Sequence, residues 1–250
     1  MAADIVAWLR HPVDMSEPMR IERYANFGTG EAWVSRVMLG LLNVLDVTTV
    51  PNRDEVKEGL GVVFQALAEA FNDLRSLREL MSRSDSPATE LQAAYSSFYV
   101  HLWRAYKDRF QKSVPPALGY DVGFLWANDK TFEAGAATFL AAHPAVGTGL
   151  VEMLGNDRRE WQNDLATFRN EHLEHQQPVD PALLATFYRL DSAETAFENV
   201  WQAIEDITAQ LLSAHFPPGI ELVEIPENER DPIVPRRFGF RVPGLGAMSE

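Results

Sequence analysis

Thr89 to Gln111 reads TELQAAYSSFYVHLWRAYKDRFQ. Tyr95, Phe98, Tyr99, Leu102, Trp103, Tyr106 and Phe110 recur at steps of three and four, the spacing that lines one side of an α-helix. A stripe this aromatic reads as a core face, because rings bury more apolar area than other side chains. Its other use, a platform for stacking nucleobases, needs the same rings exposed. Thr89 or Ser86 is placed to cap the helix. His101 lies one step off the stripe with no partner nearby in sequence and reads as structural or exposed.

Upstream, Val56 to Met81 repeats the pattern, with apolar residues at 56, 60, 63, 64, 67, 70, 71, 74, 77 and 80. Glu31 to Leu45 does so at 34, 37, 38, 41, 42 and 45, and Val47 to Pro51 separates the two. Gly28-Thr29-Gly30 has no strand before it and reads as a turn rather than a nucleotide loop. Ser82 to Pro87 is a plain loop and a subdomain boundary. Downstream, Pro115, Pro116 and Gly119 make Val114 to Asp121 a loop, and Asn128 or Asp129 opens a short helix over Thr131 to Ala142. Leu150 to Gln177 is helical until Pro178 and Pro181. Asp180 or Asp191 can cap the next element, and Ser192 to Leu212 is the last clear helix. Beyond His215, prolines, glycines and one alternating run, Ile220 to Ile225, predict an extended tail with at most one short strand or hairpin. The expected fold is all-α: an N-terminal helical extension over 1–84, a helical bundle over 85–215 and an irregular Pro-rich tail over 216–250.

The 250 residues are 46% hydrophobic, enough for a sizeable core. There is no cysteine, hence no disulfide framework, thiolate metal site or thiol nucleophile, which suits a reducing cytoplasm. The start, MAADIVAWLRHPVD, lacks the pattern of a signal peptide, and the longest apolar run, Val37 to Val50, is interrupted by Asn43 and Asp46. A cytoplasmic protein without membrane association is expected. Net charge is −14, from 22 Lys and Arg against 36 Asp and Glu, which argues against a surface that coats nucleic acid generally. Arg104 to Lys112, Arg158-Arg159, and Arg236-Arg237 with Arg241 leave room for a small basic cleft.

The least ordinary stretch is Asp164 to Pro178, DLATFRNEHLEHQQP. At about 100° per residue, His172 lies about 60° and His175 about 120° from Arg169, on the side that also carries Trp161, Leu165 and Phe168. Asn163, Thr167, Asn170, Glu171 and Glu174 fill the opposite face. Charge on an apolar stripe is costly unless it is paired or used. An Arg can hold a phosphate through two parallel bonds, and a His can exchange a proton near neutral pH. Together they suffice for RNA cleavage without a metal. The competing reading is structural: Arg169 pairs with an acid and the histidines pack. His172-x-x-His175 offers two metal ligands but neither zincin spacing nor an evident third ligand. Glu205-Asp206 and the Glu194/Glu198 pair read as a solvated helix face, with paired-carboxylate hydrolysis as the alternative.

Arg169, Asn170 and His175 form R-N-x4-H, and this segment resembles the HEPN family, whose signature is an Arg, often followed by a polar residue, with four to six residues between it and a His; here five intervene. The resemblance extends over roughly residues 85 to 215, with an aromatic-rich helix before the motif and a loop and helix after it. It implies a helical bundle, commonly dimeric, and a metal-independent endoribonuclease of toxin–antitoxin or defence type, needing no cofactor. Arg169 would clamp the phosphate, His175 would be the general acid/base, Asn170 would orient the site, and His172 stands as a second candidate for the catalytic histidine. The implied partners are an RNA substrate, a second copy of the chain, and an antitoxin or regulatory protein. The alternative is a non-enzymatic helical interaction or regulatory module on the same scaffold.

Overall fold

A computed structural model describes residues 33–46, 48–126, 129–229 and 237–241. The Gly28-Thr29-Gly30 turn, Asn128 and Arg236 lie outside them. Seven helices and one two-stranded ribbon make up the described residues, so the fold is all-α. Helix α1 is π-wound over Val34–Gly40 and α over Leu41–Asp46; α2 is Arg53–Ser82. Helix α3 runs through Ala88–Trp103, a π-wound Arg104–Phe110 and Gln111–Ala117. After a 3-10 turn, Gly123–Trp126, come α4 at Asp129–Ala142 and α5, which alternates α over Gly149–Asp157 and Asn163–Thr167 with π over Arg158–Gln162 and Phe168–Glu174. Helix α6 is Pro181–Phe187 and α7 is Leu190–Ser213.

The aromatic stripe of α3 is core: Tyr95, Phe98, Tyr99, Leu102, Trp103, Tyr106 and Phe110 are all buried. Helix α2 packs along it, with Val56, Leu60, Val63, Leu67, Ala70, Leu74 and Leu77 buried on the face that the apolar period predicts. Residues on both sides of the 82–87 loop share one hydrophobic core. Helix α7 is the axis of the bundle; it touches α1, α2, α3, α5 and α6 and is buried at every position from Ala203 to Leu212.

Two local expectations change and one holds. The prolines at 115 and 116 do not begin a loop; the helix runs through them to Ala117. They sit in its last turn, where their carbonyls still accept from Tyr120 (2.9 Å) and Gly119 (2.9 Å), and Gly119 ends it in the left-handed region at φ 86°. The start of α3 carries no side-chain cap. Ser86 turns back to donate to the Leu80 carbonyl at 2.6 Å. Asp180 does cap α6, accepting from the Ala182 N–H at 2.8 Å, with Pro181 in the first position.

Among the described residues the tail forms one two-stranded hairpin, as the alternating run allows. Strand β1, Glu221–Glu224, pairs antiparallel with β2, Phe238–Arg241, and Glu221 lies opposite Arg241. No helix among the described residues is long and apolar enough to cross a membrane.

Candidate functional site

The motif lies at the C-terminal end of α5, and the aromatic core sets its orientation. Phe168 is buried and stacks on Phe187 of α6 with centroids 4.4 Å apart and an interplanar angle of 9°. Tyr99 of α3 meets both rings edge-on at 5.1 Å. His172 lies 5.3 Å from the Phe168 ring, and its Nε2 shares a 3.1 Å hydrogen bond with the Tyr188 hydroxyl. His172 is therefore the packed histidine of the two, with one ring nitrogen engaged inside the chain.

The winding of Phe168–Glu174 corrects the helical wheel. A uniform α-helix puts residues five apart about 140° away from each other, which sets Glu174 opposite Arg169. A π turn closes i→i+5 bonds, and here the His175 N–H donates to the Asn170 carbonyl at 3.0 Å. Glu174 consequently lies beside Arg169, and its carboxylate accepts from Nη1. The same Nη1 donates to the Asn170 Oδ1 at 2.9 Å. Arg169 is 23% exposed and Glu174 47%. His175 ends the helix, is exposed, and has no side-chain partner among the described residues. Gln176 follows at φ 51°, and the Gln177 N–H closes the turn on the Glu171 carbonyl at 2.7 Å. Arg169 and Asn170 are thus joined, His172 is drawn to Tyr188, and His175 faces solvent. No group of three His, Asp or Glu that could hold a metal occurs among the described residues.

A second polar centre lies deep in the bundle. Asp157 of α5 is fully buried and accepts from Arg237 Nη1 at 2.9 Å. The Arg237 Nε is 3.5 Å from the Asp206 carboxylate of α7. Glu205 pairs with Arg36 of α1, whose guanidinium also lies 4.7 Å from the centre of the Trp201 ring. Arg158 and Gln162 both donate to the Leu125 carbonyl, at 2.7 and 2.9 Å. Glu205-Asp206 is therefore not a solvated face: the two residues are 4% and 3% exposed. Asp157 could have been noticed in the sequence, because it completes the apolar series Leu150, Met153, Leu154 at helical spacing.

Several members of the basic clusters are likewise engaged inside the fold or on neighbours. Arg237 reaches Asp157, Arg158 donates to the Leu125 carbonyl and lies over the Phe132 ring, Lys112 pairs with Asp108 at 3.1 Å, and Arg104 lies 3.9 Å from Glu69. His101, which lacks a neighbour in sequence, donates to or shares a proton with Asp73 Oδ2 at 2.6 Å, and Ser97 donates to the same oxygen at 3.0 Å. Glu194 pairs with Arg78 at 2.8 Å.

Burial, and next the charge of Glu205, push the Asp206 carboxyl up to about 8. Asp157 is raised by burial too, with Arg237 opposing. Arg36 also opposes the shift at Asp206, and Asp157 adds to it. An unfolded Asp loses its proton near its ordinary value of 3.8, whereas folded Asp206 keeps it to about 8. This contribution to stability is full at low pH and is lost as pH climbs from about 4 to about 8. Asp206→Asn removes the titration, so the difference in urea midpoint between the variant and wild type should move in favour of the variant from pH 5 to pH 8.5. A difference that stays constant across that range contradicts the assignment.

The chain matches no family model, no curated protein and no solved structure.

Proposed function

We propose that the chain is a metal-independent endoribonuclease of the HEPN type, acting through Arg169 and His175. The observation that carries the reading is the end of α5: a partly exposed guanidinium braced by Asn170, and at the helix terminus an exposed imidazole with no partner among the described residues. The aromatic packing of Phe168 and His172 supports it by holding this turn in one orientation. In the proposed reaction His175 takes the proton of a ribose 2′-hydroxyl. The 2′-oxygen attacks the adjacent phosphorus, and the P–O bond to the 5′-oxygen breaks. Arg169 stabilises the negative charge on the phosphoryl oxygens, and the leaving 5′-oxygen is protonated. The products are a 2′,3′-cyclic phosphate and a 5′-hydroxyl. His172, engaged with Tyr188, is a positioning residue in this scheme.

RNA, a second copy of the chain, and an antitoxin or regulatory protein are the partners of this reading, with the cytoplasm as its compartment. Two motifs facing across a cleft would supply a second His175 for the leaving group. Light scattering at micromolar concentration is expected to give twice the chain mass of 28.1 kDa; a monomer counts against the paired arrangement. The activity itself is tested by incubating purified protein with single-stranded RNA in EDTA and identifying the new ends. Cyclic-phosphate ends support the reading. The ion pair of Arg169 with Glu174 favours a second one, a helical interaction module with a structural Arg, and that reading takes over if no RNA is cut with or without added metal.

A further inference from the structure

The contact between Arg169 and Glu174 resembles an occupied anion site. The guanidinium makes its bonds to Asn170 and to Glu174 from the same nitrogen, Nη1. Nη2 and Nε have no hydrogen-bond partner among the described residues. A guanidinium is a planar fork that binds two oxygens of a carboxylate or phosphate in parallel. Glu174 uses one prong of that fork. It reaches it only because Phe168–Glu174 is π-wound. Both side chains are open to solvent, at 23% and 47%, and an ion pair so placed is weak.

We infer that Glu174 is a built-in substitute for the substrate phosphate: its carboxylate holds Arg169 in place until a phosphodiester displaces it. The inference rests on the ribonuclease reading for its choice of anion. It adds that the site is restrained by its own acid, which would keep an acidic chain from capturing small anions while admitting a ligand that engages both prongs. Displacement breaks no covalent bond; the carboxylate turns to solvent and the phosphodiester oxygens accept hydrogen bonds from Nη1 and Nη2.

The test is binding, kept separate from cleavage by using a 2′-O-methyl oligoribonucleotide, which has no 2′-hydroxyl to attack. Affinity is measured by fluorescence anisotropy at low salt for wild type, Glu174→Gln, Arg169→Ala and the double variant. Glu174→Gln is expected to bind about three to ten times tighter, by removal of the weak ion pair that competes for Arg169. The gain should vanish in the Arg169→Ala background. Glu171→Gln removes a charge from an exposed neighbour with no bond to Arg169, and should change affinity by less than about twofold. An equal gain with and without Arg169, no gain in Glu174→Gln, or no measurable binding by any variant overturns the proposal. Inorganic phosphate titrated into the same series should bind more weakly than the oligonucleotide; the reverse order overturns the phosphodiester assignment. Tighter binding by Glu174→Gln without RNA cleavage would retain this contact and remove the ribonuclease reading, whereas equal binding with active cleavage would do the opposite.

Discussion

Arg237→Ala is expected to destabilise the folded chain by about 3 kcal/mol, the low end of what breaking a buried ion pair costs. Arg237 bridges Asp157 and Asp206, both buried, so its removal leaves the Asp157 carboxylate without its hydrogen-bond donor and Asp206, which keeps its proton to about pH 8, without the neighbouring guanidinium. The low end applies because Arg237 itself is 24% exposed and water can partly replace it. The cost should show as a lower urea midpoint with an unchanged slope. Converting both acids to Asn in the Arg237→Ala background should recover much of the loss, since the penalty is for buried acids left without a partner. A midpoint shift worth under about 0.5 kcal/mol, the scale of ordinary surface substitutions, would mean that the hairpin contributes little through this contact.

The second large effect concerns the proposed catalysis. One general acid–base histidine is worth roughly 10²–10⁴ in rate, and His175→Ala should lose about that much while leaving stability nearly unchanged, because the ring is exposed. Arg169→Lys should also lose most activity, since an ammonium cannot reproduce the bidentate fork. Asn170→Ala should cost less, as Asn170 only steadies the guanidinium. His172→Ala should lower stability as well as rate, through the lost contacts with Phe168 and Tyr188. Should His172→Ala abolish cleavage and His175→Ala spare it, the catalytic histidine is the one held by Tyr188.

The helices are legible in the sequence because burial in this fold follows short-range periodicity. Residues 95, 98, 99, 102, 103, 106 and 110 form the buried face of α3, and Asp180 caps α6 as its position before Pro181 suggests. What escapes the sequence is long-range or depends on helical register. Nothing in the spacing of Glu205-Asp206 reveals Arg36, 169 residues upstream of Glu205, or Arg237 from the tail hairpin. His101 finds Asp73 only once α2 and α3 are side by side. Glu174 is assigned to the wrong face by a wheel of 3.6 residues per turn, because a π turn forms under tertiary packing and carries no propensity signal of its own. The Arg–His motif is visible as a pattern; the seat of Glu174 on Arg169 is not.

Cleavage of RNA by Arg169 and His175 without a metal is tested most directly in a single turnover. An end-labelled single-stranded RNA is incubated in EDTA with wild type or His175→Ala, at equal concentration and equal folded fraction. Wild type should leave 2′,3′-cyclic phosphate ends, and His175→Ala should cut at a rate at least about a hundredfold lower. Equal rates for the two proteins, or cleavage by wild type only when a divalent metal is restored, would contradict the assignment of Arg169 and His175 as the catalytic pair.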